Sequence, residues 1–236
     1  MPQPNKTAAV ILAAGFGRRM NSTLQKQYML LLGYPVLYYS LKAFEESEIS
    51  SIVLVTGENE IDYCQKKIVD TYGFSKVTHI VPGGAERYHS VFCGLKAIGE
   101  ADYVLIHDGA RPLVTGEIIT RCLKGAMEHE AAIAAMPVKD TIKIADDEGF
   151  SKYTPPRDKL WQVQTPQAFS FPLIVHAYEQ LIAEEEQGIE HHVTDDAMVA
   201  ELMCGRSVKL VEGSYENSKI TTPEDLWIAE RLLSGT

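Results

Sequence analysis

Long apolar runs and closely spaced cysteines are both missing from this sequence. No stretch approaches the ~20 apolar residues that a membrane-spanning helix needs. The first residues, MPQPNKT, have no apolar segment preceded by basic residues, so we do not expect a signal peptide. The 4 cysteines lie far apart with no CxxC pair, which favours reduced thiols in a cytoplasmic protein. We therefore expect no membrane partner.

Acidic residues are absent from the first 44 residues, although the whole chain of 236 residues has a net charge of −10. The basic residues of this segment are Lys6, Arg18, Arg19, Lys26 and Lys42. The overall negative charge argues against a general nucleic-acid binder. A wholly basic segment in an acidic chain would keep one region attractive to anions. Chance clustering is the alternative interpretation.

Apolar runs alternate with helical patterns along most of the chain. Strands are predicted at 8–13, 51–56, 77–81, 103–107, 131–136 and 207–213. Helices are predicted near 36–46, 58–72, 86–98, 115–129, 172–187 and 195–204, with a last helix from Pro223. Apolar strands separated by helices indicate an α/β fold with a mostly parallel sheet covered on both faces.

Residues 137–160 interrupt this alternation. Their sequence, PVKDTIKIADDEGFSKYTPPRDKL, predicts two polar-apolar strands around an ADDEG turn. The pair is too polar for the centre of a sheet, so we expect an arm that projects from the body. With no repeat and no low-complexity linker, residues 1–236 are predicted to form a single domain with this inserted arm.

The stretch AAGFGRRM at residues 13–20 begins like a dinucleotide-binding fingerprint but lacks two of its parts. Met20 stands where the third glycine should be, and no acidic residue follows at the usual distance for a ribose hydroxyl. The P-loop pattern is absent as well. What remains is a glycine turn whose N–H groups can approach an anion, with Arg18, Arg19 and Lys26 available to neutralise it. A plain turn with solvated arginines is the alternative.

Two further motifs follow predicted strands. HDGARP places Asp108 at the end of a buried strand, where a carboxylate needs a partner. That partner could be Mg²⁺ or a second substrate, and a structural pair with Arg111 is the alternative. In PGGAER the glycines again permit close backbone approach, and Ser90 then opens or caps a helix.

Eight motifs occur in order along the chain: AAGFGRRM, QKQY, GGAERYHSV, HDGARP, VKDTIK, LWQVQTPQAF, TDDA and VEGSYENSKITTPEDL. Together they closely resemble the 2-C-methyl-D-erythritol 4-phosphate cytidylyltransferases of the non-mevalonate isoprenoid pathway. The resemblance implies a Rossmann-like twisted sheet of the nucleotide-diphospho-sugar transferase type. It also implies transfer of CMP from CTP to methylerythritol phosphate, with Mg²⁺ and release of pyrophosphate, by a homodimer whose arms cross.

The resemblance also implies roles for individual residues. The nucleotide would be bound by Ala13, Ala14, Gly15, Gly17, Gly84 and Ser90. The catalytic residues would be Arg19, Lys26, Arg157 and Lys219. Methylerythritol phosphate would contact Asp108, Gly109, Arg111, Thr141, Arg157, Thr165 and Lys219. Asp108 is also a candidate metal ligand, and Thr141 and Arg157 would act in the neighbouring subunit's site.

The chain departs from the family pattern at two positions, with Gln25 where proline is common and Ala85 where aspartate is common. Gln25 leaves Lys26 in place but could loosen its loop. One alternative function is that of the related ribitol-5-phosphate cytidylyltransferases, whose motifs AGGKGTRM and HDSVRP differ from those found here. The other is a nucleotide-binding protein without catalysis, against which Arg19, Lys26 and Asp108 count.

Overall fold

The strands form one large sheet and two short two-stranded ladders. The computed structural model describes residues 5–15 and 25–235. The sheet strands are β1 (Thr7–Leu12), β4 (Ser51–Thr56), β5 (Val77–Pro82), β6 (Tyr103–Asp108), β7 (Ala131–Pro137), β10 (Trp161–Ser170) and β11 (Lys209–Glu212). The short ladders pair β2 (Leu30–Leu31) with β3 (Tyr34–Pro35), and β8 (Ile144–Ala145) with β9 (Ser151–Tyr153).

The α-helices connect these strands. They are α1 (Val36–Glu45), α2 (Ile61–Tyr63), α3 (Asp70–Tyr72), α4 (Arg87–Ala97), α5 (Gly116–His129), α6 (Phe171–Glu186), α7 (Asp196–Cys204) and α8 (Pro223–Ser234). The helix predicted over 58–72 is present but changes its hydrogen-bond pattern along its length. A 3-10 turn at Glu58–Glu60 precedes α2, and a π-helix at Cys64–Val69 joins α2 to α3. None of the helices in the described residues combines the length and apolarity needed to cross a bilayer.

The order of the large sheet is β11-β7-β10-β6-β1-β4-β5. Strand β1 is parallel to both of its neighbours, with Val10 opposite Val53 on β4 and Ile106 on β6. Only β10 runs antiparallel to its neighbours within this sheet. The sheet is therefore mostly parallel, as the alternation of strands and helices predicts.

Helices cover both faces of the sheet because alternate residues of its strands are apolar on both sides. On β1, Ala9 and Ile11 belong to the core layer that includes α1 and α5 residues such as Leu41 and Ile119. The intervening Val10 belongs to the opposite layer, with residues of α4 and α6. This arrangement confirms the predicted α/β fold class.

Strand β10 has no counterpart among the predicted strands. Its residues alternate polar and apolar, and Pro166 cannot donate a hydrogen bond to a ladder, so the segment lacks a continuous apolar run. The structure inserts it between β6 and β7, with an irregular register between Val163 and Gln167. The Thr165–Pro166 peptide is cis. This strand brings Gln164 and Thr165 into the interior, where they are 8% and 4% exposed.

The predicted strand pair within 137–160 is present but short, since only β8 and β9 form a ladder. The ADDEG turn is closed by Asp146, whose Oδ1 accepts hydrogen bonds from the N–H groups of Glu148 and Phe150. Gly149 has a φ of +88°, which favours glycine at that position. Residues 139–154 are all exposed, so the arm projects from the body.

Candidate active site

A cleft of about 290 Å³ lies at the carboxyl ends of β1 and β6, where open α/β sheets usually bind ligands. Its walls come from the loop after β1, the loop between β5 and α4, and residues near Lys26 and Lys219. Five of the predicted nucleotide-binding residues line it: Ala13, Ala14, Gly15, Gly84 and Ser90. The sixth, Gly17, and the predicted catalytic Arg19 lie outside the described residues.

Backbone contacts fix the loop after β1. The N–H of Ala13 donates to the carbonyl of Val55 at 2.6 Å. The carbonyl of Ala13 accepts a hydrogen bond from the buried Gln27 side chain at 2.5 Å. Gln27 also lines the cleft, so it supports the same loop that forms one wall of the cleft.

The loop between β5 and α4 approaches the β1 loop closely because glycines occupy its tightest positions. A Cβ on Gly83 would lie 2.6 Å from the Cβ of Ala14. Ser90 is not a helix cap, contrary to the sequence-based prediction, since α4 has its N-cap at Glu86. Instead, the Ser90 hydroxyl accepts from the N–H of Gly84 at 3.1 Å and donates to the carbonyl of Glu86 at 3.2 Å. Ser90 thereby ties the glycine loop to the helix.

Lys26 begins a 3-10 turn at the edge of the cleft, and its Nζ donates to the carbonyl of Ile220 at 2.9 Å. The preceding Gln25 also supports this turn. Its side chain donates to Glu60 and accepts from Gln27. In this chain, polar contacts therefore hold the turn at the position where proline is common in the family.

A second cavity of about 350 Å³ adjoins the cleft. Its lining includes the predicted substrate-binding residues Arg111 and Thr165. Arg87, Asp108 and Lys219 line both spaces and so form the wall between them. Two ligands bound side by side would meet at these three residues.

Asp108 is the centre of this wall. Its Oδ2 accepts from Lys219 Nζ at 2.9 Å and lies 3.7 Å from Arg111 Nε, while its Oδ1 lies 3.5 Å from Arg87 Nε. Burial alone would raise the pKa of Asp108, but Arg87, Lys219 and Arg111 together hold it below its usual range. The Asp108–Arg111 pair is therefore present, though only as part of a cluster of four charged groups.

Arg87 and Asp196 are functional candidates that the sequence analysis missed. Both guanidinium NH groups of Arg87 donate to the Asp196 carboxylate, each at 2.8 Å. They lie 109 positions apart, so no local pattern could pair them. Asp196 and the preceding Asp195 belong to the TDDA motif, at the start of α7. The N-cap of this helix is Asp195, whose side chain accepts from the N–H of Met198 at 3.1 Å.

Thr165 holds β10 against β6 beside Asp108. Its Oγ1 accepts from the N–H of Asp108 at 3.1 Å and lies 3.0 Å from Nδ1 of His107. Burial lowers the pKa of His107 to about 3, since desolvation and Arg111 outweigh the opposing effect of Asp108. His107 is therefore a neutral, buried group beneath the site.

Two other predicted substrate residues occupy different positions. Arg111 points into the second cavity and donates to the carbonyl of Asn217 at 2.7 Å. Gly109 lines neither space, and it packs beneath them, with its N–H bonded to the carbonyl of Leu12 at 2.8 Å. A Cβ at Gly109 would lie 2.8 Å from Leu37, so glycine allows this close packing.

Thr141 and Arg157 lie on the exposed arm and line neither space of their own subunit. Arg157 donates to the carbonyl of Lys139 at 3.1 Å, a contact within the arm. The role of Thr141 and Arg157 in the neighbouring subunit's site stays a prediction.

The cluster around Asp108 does not fit direct coordination of Mg²⁺. Both carboxylate oxygens already face cationic side chains. Within residues 5–15 and 25–235, no group of three or more histidine, cysteine, aspartate or glutamate side chains could hold a metal ion. The geometry thus does not favour the sequence-based prediction of Asp108 as a metal ligand.

Comparison with known proteins gives one family across nearly the whole chain. The family model for 2-C-methyl-D-erythritol 4-phosphate cytidylyltransferase matches residues 7–235. A protein of that name from Lachnospira eligens is 50% identical over 228 residues, covering 96% of this chain and 99% of the relative. Another, from Lachnoclostridium phytofermentans, is 48% identical over 228 residues, covering 97% and 96%.

Solved structures of proteins from this family are also similar to this chain. The 4-diphosphocytidyl-2C-methyl-D-erythritol synthase of Anaerococcus prevotii is 35% identical, with a TM-score of 0.84, covering 98% of this chain and 96% of that one. The 2-C-methyl-D-erythritol 4-phosphate cytidylyltransferase of Thermus thermophilus is 29% identical, with a TM-score of 0.75, covering 96% and 98%.

Proposed function

The chain belongs to the 2-C-methyl-D-erythritol 4-phosphate cytidylyltransferase family, and from that membership we propose how its residues carry out the reaction. The enzyme transfers CMP from CTP to 2-C-methyl-D-erythritol 4-phosphate and releases pyrophosphate, a step in isoprenoid precursor biosynthesis. The family matched is neither that of the ribitol-5-phosphate enzymes nor one of binding proteins without catalysis.

We base the assignment of the two substrates on the wall that the cleft and the second cavity share. We assign CTP to the cleft, because the glycine loops at Gly15 and Gly84 allow its phosphates and base to approach the backbone. We assign methylerythritol phosphate to the second cavity, beside Arg111 and Thr165. The reacting phosphate groups would then meet at the wall.

Nucleotidyl transfer needs no covalent enzyme intermediate. A phosphate oxygen of methylerythritol phosphate attacks the α-phosphorus of CTP, and the bond to the pyrophosphate leaving group breaks. Catalysis consists mainly of holding two anions in line and stabilising the charge of the transition state. We propose that Lys26 and Arg19 act on the triphosphate. Lys219 would act where the two substrates meet, since it lies at the wall.

The Asp108 carboxylate would orient the cationic groups and the acceptor substrate. Its contact with Lys219 at 2.9 Å supports this role. We propose that Mg²⁺ enters with CTP, because Mg²⁺ in nucleotide sites keeps several waters and is bound through substrate phosphates together with one or two carboxylates. Bound there, it would neutralise phosphate charge, and the ion-paired oxygens of Asp108 do not favour direct contact with it.

The exposed arm supports a homodimer with composite active sites. Phe150 is 68% exposed and Tyr153 is 56% exposed, although both are large and apolar enough to favour burial. A two-fold dimer would cover these residues and place Thr141 and Arg157 in the neighbour's site. We also propose that the enzyme works in the cytoplasm, where thiols such as the buried Cys64 stay reduced.

The direct test is the release of pyrophosphate by the purified enzyme with CTP and Mg²⁺. We expect turnover with methylerythritol phosphate and at least about tenfold less with ribitol 5-phosphate, a difference of roughly 1.4 kcal/mol. Omitting the polyol phosphate controls for hydrolysis of CTP. Equal turnover of both polyol phosphates, or a preference for ribitol 5-phosphate, would contradict the assignment.

A further inference from the structure

Asp196 is a fully buried carboxylate that the reaction described above does not use. It lies at the first position of α7 and is 0% exposed. It accepts two hydrogen bonds from Arg87, each at 2.8 Å, and a third from the hydroxyl of the buried Tyr178 at 2.6 Å. Such burial of a charged group is usual only where the group is paired and hydrogen-bonded.

Arg87 joins this carboxylate to the active-site wall. While its two NH groups bind Asp196, its Nε lies 3.5 Å from Oδ1 of Asp108. One guanidinium thus spans two carboxylates whose positions in the chain are far apart. Because the guanidinium is planar and its donors are fixed relative to one another, the two bonds to Asp196 set the direction of Nε.

Asp196 is itself held in place by its surroundings. The neighbouring Asp195 caps α7 and accepts a hydrogen bond from the Gln167 side chain at 2.9 Å. The other end of the same amide accepts from the N–H of Ala197 at 2.9 Å. The start of α7 is therefore fastened to β10, which also forms part of the second cavity.

We propose that Asp196 is a positioning residue for cytidylyl transfer, acting through Arg87 on the Asp108–Lys219 pair at the wall between the two substrates. The proposal rests on the proposed function. Without the Asp196 charge, Arg87 would turn towards Asp108 and compete with Lys219, which lies 2.9 Å from it. Arg87 also lines the cleft assigned to CTP, but we assign the binding of CTP to the glycine loops at Gly15 and Gly84, so the loss should fall on alignment more than on CTP binding.

The test is the Asp196→Asn variant, which keeps the size of the side chain and removes its charge. We expect kcat to fall at least about tenfold while the KM for CTP stays within about threefold. Since Asp196 acts through Arg87, the double variant Arg87→Lys/Asp196→Asn should have the same kcat as Arg87→Lys alone. Wild-type kcat in Asp196→Asn, or losses that add in the double variant, would overturn the proposal.

Two further variants separate positioning from folding. Tyr178→Phe removes one bond to Asp196 but leaves both Arg87 bonds, so it should lower the Tm and keep kcat within about twofold. A Tyr178→Phe enzyme that loses as much kcat as Asp196→Asn would overturn the proposal. If Asp196→Asn does not fold, the Arg87→Lys variant provides the test, because lysine keeps the ion pair with Asp196 but cannot donate to it from two nitrogens. Wild-type kcat in Arg87→Lys would also overturn the proposal.

The assay also distinguishes this proposal from the proposed function. All variants are compared with wild-type enzyme under the same conditions, with CTP and methylerythritol phosphate. A wild-type enzyme that does not release pyrophosphate contradicts the function itself. An active wild type with an unimpaired Asp196→Asn variant contradicts only the role of Asp196.

Discussion

Predicted site residues lie at the wall between the two cavities, where Asp108 is buried, and on the projecting arm, where they are exposed. At the wall, Asp108 is 7% exposed and contacts three cationic side chains. On the arm, residues 139–154 are exposed, and the Arg157 side chain donates to the carbonyl of Lys139 within the arm. The charged groups of the wall are paired within one chain, whereas Thr141 and Arg157 line neither space of their own chain. In the proposed composite site, the wall comes from one chain and the arm residues come from a second.

The largest effect is expected at the wall, from Asp108→Asn. The amide preserves volume but leaves Arg87, Arg111 and Lys219 without their shared carboxylate. We expect kcat/KM to fall on the order of 10³-fold, and the free energy of unfolding to fall by roughly 3–5 kcal/mol, as when one partner of a buried ion pair is removed. Steady-state kinetics and urea denaturation measure the two quantities. Near-normal turnover would make Asp108 a purely structural residue.

Lys26→Ala should have the next largest effect. We assign Lys26 to charge that grows in the transition state, so kcat should fall on the order of 10²-fold. The matched control is Lys42→Ala, a basic residue of the same segment on α1 with an exposed ion pair to Glu46. The control should keep wild-type kcat. A Lys26→Ala enzyme with a raised KM for CTP and unchanged kcat would show that Lys26 binds the ground state only.

A pH series tests the burial of the wall through His107. Its folded pKa of about 3 lies below the ordinary value of ~6.5, so between these values only the unfolded chain binds the proton. The contribution of the neutral, buried His107 to the free energy of unfolding is complete above about pH 6.5 and is lost as the pH falls towards 3. Over about pH 4–6 the free energy of unfolding should change by ~1.4 kcal/mol per pH unit from this group.

The measurement compares the slopes of wild type and His107→Asn from urea denaturation at each pH. Unfolded Asp108 titrates near its pKa of ~3.9, but both proteins contain Asp108, so its effect cancels from the difference between their slopes. Equal slopes for wild type and His107→Asn would show that His107 is accessible to protons in the folded protein.

The smallest effect on the stability of a single chain is expected on the arm. Phe150→Ser should change the unfolding of the monomer by less than about 0.5 kcal/mol, because the side chain is 68% exposed there. The same substitution should weaken dimerisation, measured by sedimentation. Leu202→Ser, at another exposed apolar residue outside the arm, is the matched control. Unchanged dimerisation in Phe150→Ser would contradict burial of the arm by a second copy.

The difference between the two regions also explains what the sequence could predict. Strands such as 51–56 were predicted with their observed bounds, because a buried parallel strand is one continuous apolar run. Strand β10 was not predicted, because its polar residues point into the site and Pro166 interrupts the pattern. The polar residues by which this strand contributes to the site are also the reason that its sequence does not resemble that of a buried strand.

The site residues also divide into those that the sequence could predict and those that it could not. The motif after a strand identified Asp108, since loops at one edge of a parallel sheet converge, whereas the family resemblance implied the nucleotide-binding roles of Ala13 and Gly84. Arg87 and Asp196 could not be paired from the sequence, because their contact depends on how α4 and α7 pack. The role of Arg157 stays a prediction from family resemblance, because the partner it requires is a second chain.

Complementation between subunits tests the composite site most directly. Lys26→Ala damages the cleft and Arg157→Ala damages the arm, so each homodimer should be nearly inactive. When the two variants are unfolded, mixed and refolded together, a mixed dimer has one site with both lesions and one with neither. About half of the dimers should be mixed, and pyrophosphate release should recover to roughly a quarter of the wild-type rate. Confirmed mixed dimers that stay as inactive as their parents would contradict a site built from two chains.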